Sequence, residues 1–166
     1  MRKIVVLLLL FAGFTKANAQ VADSICTALI KLLDAADKNM LKNLHGALME
    51  EKTKTSLFNV KYYESTITLP GFTQTEIYDI SNNGNDAFST QVEVDDVTAA
   101  KKMREEWRKK IQACLKATKQ KFVLTDNGEK YQLWWQYKEA KIALYYHKNS
   151  GNSRQVFIIE IENQKP

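Results

Sequence analysis

The stretch Ala87 to Leu115, AFSTQVEVDDVTAAKKMREEWRKKIQACL, changes its period halfway along. Up to Val94 the residues alternate, with Phe88, Thr90, Val92 and Val94 on one side, as in a half-buried strand. From Val97 the spacing becomes three and four. Val97, Ala100, Met103, Trp107, Ile111, Cys114 and Leu115 form one apolar stripe, with Lys, Arg and Glu on the remaining surface. Asp95 or Asp96 stands at the junction as the N-cap. The spacing predicts a helix over 97–118, and Lys109, Lys110 and Lys116 crowd the half where the helix dipole favours cations. A strand feeding straight into an amphipathic helix points to mixed architecture.

On the N-terminal side, Tyr63, Ser65, Ile67 and Leu69 share one face of a strand that stops at Pro70-Gly71. A second strand over 75–80 leads into the turn cluster Ser81-Asn82-Asn83-Gly84-Asn85-Asp86. Connections this short cannot join parallel strands, so 62–94 reads as an antiparallel meander. Ahead of it, Ile25, Cys26, Leu29, Ile30, Leu32 and Leu33 recur at helical spacing, giving a helix over 22–37. Met40, Leu41, Leu44 and Leu48 continue that pattern as a second short helix, or an extension of the first, up to His45-Gly46, and the polar run 49–56 reads as a loop. On the C-terminal side, apolar runs at 122–125, 130–138, 142–148 and 154–162 are separated by turn residues and form a second meander. The expected fold is an α+β two-layer domain with two main helices and antiparallel meanders, in the order α-β-β-β-α-β-β-β-β.

The chain is 166 residues, enough for one ordinary domain. Its beginning reads as a targeting segment. Arg2 and Lys3 precede the apolar run 4–14, and Ala17-Asn18-Ala19 offers the small residues that signal peptidase accepts. We therefore expect residues 1–19 to be a signal peptide cleaved between Ala19 and Gln20, leaving a single α+β domain over 20–166, secreted or periplasmic. No later segment is apolar for long enough to span a bilayer. Losing Arg2, Lys3 and Lys16 lowers the formal charge from +5 to +2. The basic residues of 101–121 are diluted by Glu105 and Glu106, so a solvated helix face is expected and nucleic acid is not. Two cysteines in an exported chain suggest a Cys26–Cys114 disulfide, with two free buried thiols as the alternative.

Catalytic and cofactor patterns are sparse. His45 and His147 are far apart in sequence, and both cysteines fall on apolar helix faces, so no Cys–His nucleophile is expected. Neither zinc spacings nor phosphate-binding glycine loops occur. The string Asp79-Ile80-Ser81-Asn82-Asn83-Gly84 resembles the start of a calcium loop, but position twelve is Thr90, and a hairpin turn accounts for it equally well. No catalytic, cofactor-binding or metal residue is assigned.

The second meander carries the aromatic signal. Tyr131, Leu133, Trp135 and Tyr137 share one strand face, while Trp134 stands on the other. Tyr145 and Ile158 alternate onto the side of Trp134, so both faces of the sheet are partly apolar. Either the first helix and the long loop cover that second face, or Trp134, Tyr145 and Ile158 form an exposed interaction patch. The expected function is an exported non-enzymatic binding module, such as an inhibitor or immunity-type protein. Its ligand would be a protein, a peptide or a small apolar molecule, or the face would pair as a homodimer. The rival expectation is a small exported hydrolase using carboxylates that the sequence does not single out.

Overall fold

A computed structural model describes residues 24–55, 58–80, 85–117, 123–125 and 133–163. The segment expected as a signal peptide (1–19), Gln20, most of the turn cluster (Ser81 to Gly84) and Tyr131 lie outside the described residues.

The first helix, α1, is described over 24–37 and buries Ile25, Leu29, Leu32, Leu33 and Ala36. It ends because Asn39 turns left-handed, with φ at 53°. The Asn39 amide then donates to the Ala36 carbonyl at 3.0 Å, and the Met40 amide to the Ala35 carbonyl at 2.7 Å. This Schellman closure satisfies carbonyls that the last turn would leave open. The short helix expected next contracts to a 3-10 turn, Leu41–Leu44, which buries Leu41 and Leu44 and leaves Met40 and Leu48 exposed.

Strand β1 follows immediately at His45–Thr55, so the polar run expected as a loop is in fact a strand from residue 49 to Thr55. It is an edge strand of the sheet, paired to β2 and interrupted by register shifts. An edge strand draws its order from backbone pairing on one side, and charged residues there discourage pairing with other chains. An apolar period was therefore not required of it.

Then come β2 (Phe58–Ser65), β3 (Gln74–Ile80), β4 (Asn85–Val94), α2 (Val97–Ala117), β5 (Val123–Thr125), β6 (Leu133–Tyr137), β7 (Ala140–Lys148) and β8 (Gln155–Asn163). The α+β class and the order of helix, strands, helix, strands are as expected, with β1 added ahead of the first meander. The strand expected over 62–69 stops earlier, at Ser65. There the Ser65 hydroxyl donates to the Ile67 carbonyl (2.8 Å) and accepts from the Ile67 amide (3.1 Å). Ile67 and Leu69 still reach the core, from the connection rather than from a strand. Gly71 completes that connection at a φ of 89°, a conformation open to glycine and strained for other residues.

All strands join one antiparallel sheet of order β1-β2-β3-β4-β8-β7-β6-β5. Each meander presents its last strand to the other, and β4 meets β8 with Phe88 opposite Ile161 and Val92 opposite Phe157. Both helices lie on one face. α1 is held there by the Cys26–Cys114 disulfide, whose Cα atoms are 5.1 Å apart. It is also held by Asn163 at the end of β8, whose amide donates to the carbonyls of Ala36 (2.6 Å) and Asp37 (3.2 Å). Tyr137 donates to Asp34 at 3.3 Å, and the Glu139 amide donates to Asp37 at 3.1 Å. α2 begins where Asp96 accepts the Ala99 amide at 2.8 Å, which resolves the expected cap to Asp96.

The core lies between these helices and the sheet, with Trp135, Phe88, Phe157, Ile77, Ile111 and Ile142 wholly buried. Trp107 of α2 packs on Phe72 at 5.2 Å between ring centroids, and Phe72 packs on Phe157 at 6.0 Å. Phe72 thus wedges the β2–β3 connection under α2. The alternative in which the first helix wraps the opposite side of the sheet is overturned, since α1 shares the face and the core of α2.

Candidate functional site

Strand alternation fixes what the other face of the sheet displays. Phe88 and Ile161 face the helices, so their neighbours Ala87, Ser89, Glu160 and Glu162 face away. The register carries this across the sheet. Tyr78 is opposite Ala87, Tyr62 is opposite Tyr78, Tyr145 is opposite Ile158, and Trp134 is opposite Ala143. Trp134, Tyr145 and Ile158 therefore do share the helix-free face. Their exposures differ: Trp134 and Tyr145 are half-buried, whereas Ile158 is only 6% exposed and belongs to the floor.

The centre of this face is Glu160. Tyr145 reaches it diagonally from the adjacent strand and donates its hydroxyl at 3.1 Å to Oε2. Tyr78 donates to Oε1 from β3, across the whole width of β4. That reach covers two strand spacings, about 10 Å, and is possible because the residues lying between are small. Ala87, Ser89 and Ala143 surround Glu160 in the register and are all buried, although no helix covers them among the described residues. One carboxylate thus ties a tyrosine of the first meander to a tyrosine of the second.

Burial, reinforced by the adjacent Glu160 charge, raises both phenols well above the ordinary tyrosine range. They are fixed as neutral donors. The Tyr62 ring lies 6.2 Å from that of Tyr78 and extends the aromatic surface outward. On the other side, the Lys141 ammonium lies 5.6 Å from the Trp134 ring centroid and 3.3 Å from Glu162 Oε1. At the far end of the face, Gln74, Gln91, Glu93, His147, Asn149 and Val156 line a hollow of about 420 Å³. Glu93 accepts from Asn149 there and lies 3.6 Å from Arg154.

The remaining chemistry-bearing residues lie elsewhere. His45 stacks on Tyr63 at 4.0 Å and places Nε2 3.0 Å from Asp86 Oδ2, on the helix side of the sheet and remote from His147. Asp86 is pushed above the usual carboxylate range by burial, a shift that His45 opposes and Asp79 reinforces. Asp79 sits inside β3, opposite Asp86 and Lys61, rather than opening a loop. Both cysteine sulfurs are consumed by the disulfide, so neither is a nucleophile. Among the described residues, no three His, Cys, Asp or Glu side chains gather as metal ligands. The lysines of α2, including Lys101, Lys102, Lys109 and Lys110, are exposed on the helical layer.

Sequence reasoning placed Trp134, Tyr145 and Ile158 on one face but missed Glu160 and Tyr78. Glu160 was within reach, because it alternates with Ile158 on β8. Tyr78 was not, since only the β4–β8 pairing brings the two meanders together. Set against models of protein families, curated proteins and solved structures, the chain matches none.

Proposed function

We propose that this chain is an exported, non-enzymatic binding module whose partner docks on the helix-free sheet face. The observation that carries this reading is the locked Tyr78–Glu160–Tyr145 bridge beside the half-buried Trp134. Aromatic side chains held in one orientation lose little entropy on contact, which favours them as anchors in recognition surfaces. Ile158 and Val156 supply an apolar floor beneath them.

Export is supported by the tripartite segment over 1–19 and by the disulfide, which oxidising compartments maintain. Among the described residues no helix is long and apolar enough to cross a membrane. The exported form then begins at Gln20.

A photo-crosslinking residue placed at Trp134, and separately at the exposed Lys109 of α2, tests the reading in the native envelope. Crosslinks formed from position 134 and absent from position 109 are expected. Crosslinks formed only from position 109 would move the binding surface to the helical layer and refute the proposal.

A further inference from the structure

Charge is distributed unevenly between the two layers of this molecule, although the helical layer also carries Asp34, Asp37, Glu105 and Glu106. Glu64, Glu76, Glu93, Glu160 and Glu162 all alternate onto the helix-free face, on β2, β3, β4 and β8. Among the described residues, Lys141 lies beside Glu162 and Arg154 beside Glu93. The opposite, helical layer carries Lys101, Lys102, Lys109, Lys110 and Lys116 outward. A mildly basic protein thus presents an acidic, aromatic face.

The geometry points to a cationic polypeptide as the occupant of that face, with arginine side chains seated between the aromatic rings and the glutamates. This inference rests on the sheet face being the binding surface, and it specifies what that surface selects. A guanidinium stacks on aromatic rings and donates in a fork to carboxylates, so Tyr62, Tyr78, Tyr145, Trp134 and the glutamates offer both of its contacts together. The protein already shows this mode with its own cation. Lys141 sits against the Trp134 ring while bonding Glu162. Glu160 has one oxygen engaged by each tyrosine, and each oxygen keeps a second lone pair for an incoming donor. Nucleic acid and anionic lipid are repelled by the same carboxylates.

The test uses the full exported chain and three ten-residue peptides: one rich in arginine, one its glutamate counterpart, and one neutral and rich in tyrosine. Binding is read by calorimetry and by amide chemical shifts. The arginine-rich peptide should bind, shift the amides of β7 and β8, and weaken at least tenfold when salt rises from about 50 to 300 mM. Glu160→Gln should weaken it by roughly tenfold and, because Glu160 also bridges the two tyrosines, should lower the melting temperature as well. Glu76→Gln serves as the second carboxylate should Glu160→Gln prove unstable.

Arginine-peptide binding that ignores both substitutions, or that shifts α2 rather than the sheet, overturns the inference. If only the neutral peptide binds and it shifts the sheet face, the binding surface stands and its cationic selectivity falls. If no peptide shifts that face, and sedimentation shows a salt-sensitive complex of two copies of this chain, the occupant is another copy through its basic helix. The inference then fails as well.

Discussion

Trp134 and Trp135 are adjacent in the chain and belong to opposite sides of the protein: Trp135 is 0% exposed beneath the helices, while Trp134 is half-buried on the far face of the sheet. Backbone pleating alone enforces that separation. Trp135→Ala empties a packed site and should cost about 3–5 kcal/mol in urea denaturation, the range for a large aromatic removed from a core. Trp134→Ala should cost about 1 kcal/mol or less, as partly exposed positions do. Equal losses for the two variants would mean that both faces are core.

The helix α2 and the strands of the second meander were legible because each carries its own period, whereas the cap was narrowed only to Asp95 or Asp96 and is assigned by the Ala99 contact. The same holds for Leu133, Trp135 and Tyr137, which alternate into the core as their sequence implies. β1 was illegible because an edge strand takes its order from a neighbour rather than from an apolar face. The helix extension towards residue 46 was misread because its apolar spacing continues past Asn39, whose left-handed turn ends α1. The candidate site was half legible. Alternation placed Trp134 and Tyr145 on one face and put Glu160 within reach, but its bridge to Tyr78 depends on β4 meeting β8, a long-range pairing that no local pattern encodes.

The Cys26–Cys114 bond closes a loop of 88 residues and fastens α1 to α2. Removing it with the paired Cys26→Ser and Cys114→Ser substitutions should lower stability by about 2–5 kcal/mol, chiefly by freeing the unfolded chain. The variant should still fold, because α1 keeps its bonds to Asn163 and Tyr137. Urea denaturation of wild type with and without reductant should reproduce the difference. A midpoint indifferent to reductant would show that the bridge adds nothing to stability.

Tyr78 and Tyr145 give the protein an alkaline signature. Their phenols are raised in the folded state, above the ordinary value of 10.0, so folding gains from them below that pH. The gain is lost as pH rises above about 10, where the unfolded chain releases protons that the native state retains. A phenolate absorbance titration should therefore show two tyrosines that ionise only when the protein unfolds. Tyr78→Phe and Tyr145→Phe should each remove one of these late events. Early titration of all the tyrosines would contradict the Glu160 bridge.

Asp86 has the same sign at the acid end. Burial raises its carboxyl above the ordinary value of 3.8, with Asp79 adding to the shift and His45 opposing it. A carboxylate with a raised native pKa binds its proton more tightly in the folded than in the unfolded state. Its contribution to stability is therefore full at pH values below about 4 and is lost as pH rises through the native value. Asp86→Asn keeps the shape of the side chain without the charge, so its stability should escape that loss. Urea denaturation of both proteins between about pH 3.5 and 7 should show the difference moving in favour of the asparagine variant as pH rises. The comparison uses the slope, so a constant offset from altered hydrogen bonding at His45 does not affect it. A difference that moves towards wild type would mean that the His45 contact, 3.0 Å away, outweighs the burial of the charge.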